Sequence, residues 1–163
     1  MQIEHRAVAH ALRRARLEGI SLVQTGIGKE AVVQAVNHTG RGSELIILAG
    51  ACGALSNVDE VPVVSRVIDE HGSEWSTGRP GGVTLIGVDR VVSTPGAKQQ
   101  LARQTGAAIV DMESHAFVAA CDGLGVPWGI VRGVSDTPDE TLPHEVLDWI
   151  TPAGDTRTSR AVW

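Results

Sequence analysis

Short apolar runs alternate with helix-like segments along most of the chain, and this alternation limits the folds that the chain can adopt. Each run is about as long as one β-strand, and the segments between the runs carry apolar residues at helical spacing. The pattern predicts an α/β protein in which helices cover a mostly parallel sheet. Right-handed crossovers would bring the carboxyl ends of the strands to one edge of that sheet. The predicted strands are 20–24, 44–50, 60–68, 83–89, 107–111 and 127–135, and the predicted helices are 7–15, 29–37, 97–106 and 112–125.

Glycine and proline mark the expected ends of these elements. Gly19 would end the first helix, Gly106 the third, and Gly123 or Gly125 the fourth. Pro62 limits the strand at 60–68 to a sheet edge or places the proline among its first residues. Loops are expected at 72–82 and 137–143.

Composition limits the class of partner. The 163 residues suffice for one domain, which we expect to span 1–163, and 42% of them are apolar. The net charge is −5 and no basic block occurs, which argues against binding to nucleic acid or to an anionic membrane. No apolar run approaches the length of a membrane span and the first residues lack a signal-peptide core, so we expect a cytoplasmic protein with a small-molecule partner.

The two cysteines, Cys52 and Cys121, predict buried reduced thiols. They form neither a CxxC pair nor any spacing typical of metal ligands. No His, Cys or acidic cluster has ligand spacing either, so we expect neither a metal nor a cofactor.

The stretch QTGIGKEA at 24–31 carries a G-x-G-x-x-A pattern, which can indicate a dinucleotide-binding turn. That fold needs an acidic residue at the end of the second strand, but the strand at 44–50 ends in Leu-Ala-Gly and its acid, Glu44, stands at the start. A P-loop fails as well, because Val23 and Glu30 occupy positions that require Gly and Ser or Thr. A simple strand-to-helix turn remains open on these residues alone.

Carboxylates stand at two other strand exits. Asp111 and Glu113 follow the strand at 107–111, and Asp136 follows the strand at 127–135. Acids at strand exits of an α/β sheet often face the ligand crevice. Each of them could equally be a helix cap or a loop residue.

Four segments in this order resemble the nucleoside phosphorylase and nucleosidase superfamily. They are TGIGK at 25–29, GACGAL at 50–55, VDMES at 110–114 and VRGVSD at 131–136. The resemblance implies a three-layer αβα fold of the phosphorylase/hydrolase type with a mostly parallel mixed sheet, shortened here at both ends. The stretch DRVVSTPGAKQQLARQTGAAIVDMESHA, followed by SDTPDETLP, is most similar to the hopanoid-associated branch, which is proposed to remove adenine from adenosylhopane.

The resemblance also implies roles for individual residues. Asp136 would protonate the purine at N7, which makes the base a better leaving group. Glu113 would bind the ribose hydroxyls and stabilise the positive charge that develops on the sugar. Glu4 is the nearest match to the carboxylate that activates water in nucleosidases. The other implied substrate contacts are Ile27, Gly50, Ala51, Cys52, Gly53, Val91, Val110, Asp111, Met112 and Ser135.

The sequence says less about which nucleophile attacks the sugar and about whether every part of the family's site is present. Leu48 and Ala51 stand where hexameric phosphorylases of the superfamily carry an arginine and a serine for phosphate, which favours water. Val91 stands near the place of an aromatic residue that usually stacks on the purine. A missing inner strand would expose a sheet edge, so a partner subunit is expected to cover it, with a homodimer favoured.

The leading hypothesis is therefore a nucleosidase that hydrolyses a 5′-substituted adenine nucleoside. One alternative is a phosphate-dependent phosphorylase. A second is a truncated, non-catalytic homologue that binds a nucleoside or forms an oligomer. A third, a nicotinamide-dependent oxidoreductase, is disfavoured by the missing acid.

Overall fold

A six-stranded sheet lies at the centre of the computed structural model, which describes residues 2–15 and 19–143. The strands are β1 (Ile46–Ala54), β2 (Val64–Asp69), β3 (Glu74–Ser76), β4 (Val83–Gly87), β5 (Ile109–Asp111) and β6 (Trp128–Asp136). The helices are α1 (Gln2–Arg14), α2 (Lys29–Thr39), α3 (Pro95–Thr105) and α4 (Ser114–Leu124). The spatial order of the strands is β3-β2-β4-β5-β1-β6.

Strand direction divides the sheet into two parts. β2, β4 and β5 are parallel neighbours, and β1 and β6 form a second parallel pair. The two parts join through an antiparallel contact between β1 and β5, and β3 is antiparallel to β2. The expected mixed, mostly parallel sheet is therefore confirmed.

Alternate residues of the central strands face two apolar cores, as the two-residue period of a strand requires. Leu85 and Ile109 face the first core, whereas the neighbouring Ile86 and Val110 face the second. α2 and α4 cover the first core through Val32, Val36, Phe117, Val118 and Cys121. α3 covers the second through Leu101. Helices thus lie on both faces of the sheet, which confirms the three-layer α/β architecture.

Helix ends follow from local chemistry. Thr94 caps α3, where Pro95 occupies the first turn, and the Thr94 side chain accepts a hydrogen bond from the Ala97 N–H. Gly106 and Gly125 end α3 and α4 in the left-handed conformation, as expected. α1 ends at Arg14, well before Gly19, so the prediction that Gly19 ends this helix was wrong.

Two predictions about strands were also wrong. The run at 20–24 forms no strand, and its apolar side chains Ile20, Leu22 and Val23 are exposed. Alternating apolar residues were not enough, because a strand also needs a neighbour to pair with. β3 lies inside the segment predicted to be a loop; a turn in which the Asp69 carboxylate accepts hydrogen bonds from the His71 and Ser73 N–H groups folds it back onto β2.

β1 is longer and less buried than the strand predicted at 44–50. It continues through the small residues of GACGA to Ala54, so this segment belongs to the strand and not to a loop after it. Leu48 faces the first core, but Ile47 is 56% exposed. Val131 on β6 is about half exposed. One face of the β1–β6 pair is therefore left uncovered by the described residues.

We expect Phe117→Ala to lower the free energy of unfolding by about 3–5 kcal/mol, because Phe117 is fully buried between α4 and the sheet and its removal leaves a cavity. Ala119→Gln on the exposed side of the same helix is the control and should change it by less than about 0.5 kcal/mol, since glutamine is also a good helix former. Urea unfolding measures both. Equal effects would contradict the assignment of these two faces of α4.

Candidate active site

The carboxyl ends of β1, β5 and β6 meet at Gly53. Gly53 pairs with Val110 of β5 on one side and with Asp136 of β6 on the other. We expected the strand exits to share one edge because the strands are parallel. They meet instead because β1 is antiparallel to β5 and pairs with it near the carboxyl ends of both strands, while β6 lies parallel to β1 on its other side. An irregularity in the β1–β6 register after Cys52 places Asp136 opposite Gly53.

Asp136, the residue we predicted as the acid, is buried at the last position of β6. Its Oδ1 lies 2.6 Å from the Ser135 hydroxyl oxygen. Its Oδ2 forms an ion pair with Lys98, whose Nζ lies 2.6 Å away. This oxygen accepts no directed hydrogen bond from the described residues. A Cβ atom at position 53 would lie 3.0 Å from Oδ2, so only glycine leaves this carboxylate its full space.

Glu113 directly precedes α4 and holds the glycine turn. Its Oε1 accepts a 2.9 Å hydrogen bond from the N–H of Gly28, and its Oε2 accepts a 3.3 Å hydrogen bond from Nη2 of Arg132. Gly28 has φ of 92°, a left-handed conformation that favours glycine. The N–H at the start of α2 is therefore directed at a protein carboxylate, which gives the turn a role unlike dinucleotide phosphate binding.

A buried ionic network supports Glu113. Arg132 Nη2 lies 2.6 Å from Asp111 Oδ2, and both side chains are almost completely buried. Asp111 Oδ1 accepts hydrogen bonds from the N–H groups of Ser114 (3.0 Å) and Glu113 (3.3 Å), and Oδ2 accepts one from the Ser114 hydroxyl. Asp111 thus caps the first turn of α4 and neutralises Arg132, and the protein itself occupies both of its oxygens.

The network shifts the proton affinity of its members. Burial raises the pKa of the Glu113 carboxyl above its ordinary value, and the nearby Asp111 carboxylate adds to the effect. Arg132 and the Gly28 N–H act in the opposite direction but are outweighed. Burial disfavours the charged form of Arg132, but the Asp111 and Glu113 carboxylates more than compensate and raise its pKa.

The other end of the glycine turn is joined to the exit of β4. Lys29 Nζ lies 2.5 Å from Asp89 Oδ2, and His115 Nε2 lies 3.2 Å from Asp89 Oδ1. The hydrogen bond and charge of Lys29 hold the pKa of the half-exposed Asp89 below its usual range. This cluster connects α2, the β4 exit and the first turn of α4.

The other residues predicted to contact substrate lie in varied surroundings. Cys52 packs in the first core, where burial raises the pKa of its thiol to about 12, and Val110 packs in the second. The Ser135 hydroxyl donates to the carbonyl oxygen of Cys52 at 3.0 Å. Ala51 is exposed, whereas Ile27, Gly50, Val91 and Met112 are partly buried. Glu4 lies in α1, and its side chain is outside the described part of the structure.

Sequence reasoning missed two charged residues of the site, Arg132 and Lys98. Arg132 stands inside the VRGVSD segment, and a charge in the middle of an apolar strand could have signalled a buried ion pair. Lys98 carries no such signal, because a lysine in a polar helical stretch is normally a solvated surface residue. Both cysteines are buried and free, as predicted.

An open groove of about 530 Å³ lies elsewhere, near the start of β2 and β4. Its lining includes Asn57, Asp59, Pro62 and Gly82, and none of the predicted site residues contributes to it. We place the candidate site at Gly53 because the buried charges lie there.

None of the helices of 2–15 and 19–143 is long and apolar enough to cross a membrane. Within the same ranges, no group of three or more His, Cys, Asp and Glu side chains is arranged to hold a metal ion.

Arg132→Met should lower the free energy of unfolding by about 3–5 kcal/mol, because it leaves Asp111 and Glu113 buried without their cation. Arg66→Met is the matched control, since Arg66 forms a half-exposed ion pair with Glu74 and should cost no more than about 1 kcal/mol. Chemical denaturation of both variants measures the difference. Similar losses would show that the Arg132 network contributes little more than a surface pair.

Glu113→Gln should gain stability relative to the wild type as the pH rises from 4.5, the ordinary pKa of a glutamate. The raised pKa means that the folded state binds this proton more tightly than the unfolded chain. The stability that Glu113 contributes is therefore fully present below the unfolded value and is lost as the pH rises through the folded value. Denaturation of both proteins over this range up to about pH 7 tests the sign.

Glu140→Gln is the control of opposite sign. A hydrogen bond from the Thr137 N–H lowers the pKa of Glu140, so its contribution is present above the unfolded value and is lost as the pH falls. This variant should lose stability relative to the wild type as the pH rises. A shift of the same sign in both variants would contradict the assignment for Glu113.

Solved structures similar to this chain are nucleoside-cleaving enzymes by name. Futalosine hydrolase of Helicobacter pylori matches with a TM-score of 0.60 at 18% identity, over 70% of this chain and 65% of that one. The S-adenosylhomocysteine nucleosidase from Streptococcus pyogenes, solved with 5-methylthiotubericidin, gives a TM-score of 0.58 at 20% identity, over 72% and 66%. The 5′-methylthioadenosine/S-adenosyl homocysteine nucleosidase of Helicobacter pylori gives 0.56 at 17%, over 70% and 65%.

These likenesses establish the fold. The chain spans 65% of the length of the Helicobacter pylori futalosine hydrolase. No curated protein sequence matches the chain. The family model described as the Phosphorylase superfamily matches residues 79–163, just over half of the chain and the part that holds Lys98, Asp111, Glu113, Arg132 and Asp136. The chain belongs to the Phosphorylase superfamily.

Proposed function

We propose that this protein is a purine nucleosidase, which breaks the N-glycosidic bond of an adenine nucleoside with water as the nucleophile. The observation that carries the proposal is the placement of two carboxylates next to the strand ends that adjoin Gly53: the buried Asp136 at the end of β6 and the partly buried Glu113 just after β5. Ligands of α/β sheets bind at such strand ends. Membership of the Phosphorylase superfamily is consistent with this reaction class.

Asp136 is suited to the role of acid. In the proposed reaction the bond between the sugar C1′ and the purine N9 breaks, its electron pair moves onto the base, and the Asp136 carboxyl gives its proton to N7. Ser135 and Lys98 hold the two oxygens of this carboxyl from either side. The absence of a side chain at Gly53 leaves room beside it.

Glu113 is suited to binding the sugar. An ionised carboxylate has about four acceptor positions, and the Gly28 N–H and Arg132 occupy two of them. The remaining positions can accept hydrogen bonds from the ribose hydroxyls. Because Glu113 is also held by the glycine turn, Ile27 beside Gly28 would form the wall near the ribose or its 5′ substituent.

The charges of the site favour water over phosphate. A buried phosphate dianion needs an unpaired cation. Among the described residues, the buried cations Arg132 and Lys98 are already paired with Asp111, Glu113 and Asp136, and Leu48 stands where phosphorylases of the superfamily carry an arginine. We assign the activation of water, which adds to C1′ as it loses a proton, to Glu4 on the sequence resemblance alone.

The proposed substrate is an adenosine with a 5′ substituent, and adenosylhopane is the most specific candidate. The support for adenosylhopane is the resemblance of residues 89–116 and 135–143 to the hopanoid-associated branch of the superfamily. A homodimer and a cytoplasmic location are part of the same proposal. Release of free adenine from 5′-substituted adenosines, with and without phosphate, tests it. Release that depends on phosphate would replace the hydrolase by a phosphorylase, and adenine binding without turnover would point to a non-catalytic homologue.

Asp136→Asn should lower kcat by about 10²–10⁴-fold, because an amide cannot donate the acidic proton to the leaving base. Asp139→Asn, which changes an exposed carboxylate of the same loop region, is the matched control and should retain wild-type kcat. Steady-state kinetics on the best 5′-substituted adenosine gives both values. Near-normal turnover of the Asp136→Asn protein would remove this residue as the acid.

A further inference from the structure

Lys98 is a charged residue in an unusual place. It lies in the first turns of α3 and its side chain is completely buried, although its sequence neighbours Ala97 and Gln99 are exposed. Burying an ammonium group is costly unless it is paired and hydrogen-bonded. A buried lysine therefore calls for an explanation in terms of its partners.

The Lys98 ammonium contacts three oxygen atoms, one through an ion pair and two through hydrogen bonds. Nζ lies 2.6 Å from Asp136 Oδ2, and it donates to the carbonyl oxygens of Thr137 at 2.6 Å and Glu140 at 2.9 Å. All three oxygens belong to the end of β6 and the loop that follows it. One side chain from α3 thus fixes both the carboxylate and the backbone next to it.

We propose that Lys98 is the residue that positions Asp136 for proton transfer and stabilises the carboxylate that this transfer leaves behind. The inference rests on the proposed function, in which Asp136 is the acid. When the carboxyl proton moves to N7 of the base, a negative charge forms on Asp136 at 2.6 Å from the Lys98 ammonium. Because the ammonium is already in place and shielded from water, it stabilises that charge without reorganisation.

Other charged or titratable groups near this pair leave the assignment to Lys98 intact. Burial raises the pKa of the Cys52 thiol to about 12, so this neighbour on β1 is neutral. Glu140 holds its carboxylate against the Thr137 N–H at 2.7 Å, and Lys98 contributes to its lowered pKa. Arg132, on the same strand as Asp136, is paired with Asp111 and Glu113. Lys98 is the cation in contact with Asp136.

The variant that removes the charge is Lys98→Met, which keeps an unbranched side chain but ends one atom earlier, without the ammonium group. It should lower kcat by about 10–100-fold, because the acid loses its alignment and its stabilising charge. KM should change by less than about threefold, since Lys98 does not touch the substrate.

Lys98→Arg separates charge from position. It keeps the cation, but the planar guanidinium cannot reproduce the three contacts of the ammonium group, so kcat should still fall. This variant also keeps the test decisive if Lys98→Met does not fold. A Lys98→Arg protein with full kcat would overturn the positioning role.

Leu101→Ala is the control for a purely structural role. Leu101 is buried on the same helix and its truncation weakens the packing of α3, but it leaves the Lys98–Asp136 pair in place. Its kcat per folded molecule should match that of the wild type. If Lys98→Met behaves like Leu101→Ala, with lower stability and an unchanged kcat per folded molecule, Lys98 has only a structural role and the inference is overturned. A wild-type protein that releases no adenine would overturn the proposed function and this inference together.

Discussion

The guanidinium of Arg132 is the interaction on which the site depends. It is buried in β6 and lies close to the carboxylates of both Asp111 and Glu113. Two carboxylates this near to each other in a poorly solvated place would repel. Burial and, after it, the nearby Asp111 carboxylate raise the pKa of Glu113. The shared Arg132 cation stabilises both carboxylates in this position. Because Glu113 in turn accepts a hydrogen bond from the N–H of Gly28, the start of α2 is connected through this one side chain to Arg132 on β6, the end strand of the described sheet.

Arginine is suited to this position for reasons of shape as well as charge. Its planar group stays protonated when buried and offers several donors in fixed directions. Asp111 forms an ion pair with Arg132 and also accepts hydrogen bonds from N–H groups at the start of α4. The same carboxylate therefore begins a helix and neutralises a strand residue. The VDMES and VRGVSD segments, distant in sequence, form a single structural unit in this way.

The sequence was sufficient for the layers and insufficient for the details of the sheet. Periodicity located α2, α3, α4 and the strands β4, β5 and β6, because each buries a face or a run against the cores. It failed at 20–24 and at β3, since pairing partners are not encoded in the apolar pattern of one segment. The opposite directions of β1 and β5 were missed for the same reason. The order of the motifs predicted Asp136 and Glu113 as site residues. The cations beside them became visible only in the structure, and Lys98 in particular has the sequence context of a surface residue.

The buried ion pairs also determine the net charge of the candidate site. Within the part of the chain that the structure describes, two enclosed cations, Lys98 and Arg132, face three carboxylates, those of Asp111, Glu113 and Asp136. In the proposed reaction Asp136 begins with its proton, so the two cations balance the two remaining carboxylates. Once the proton has moved to the base, one negative charge is left without a partner in this set, and such an interior attracts positive charge. In the proposed reaction this charge forms as the sugar becomes cationic, so the electrostatics of these five groups would favour the transition state over the ground state.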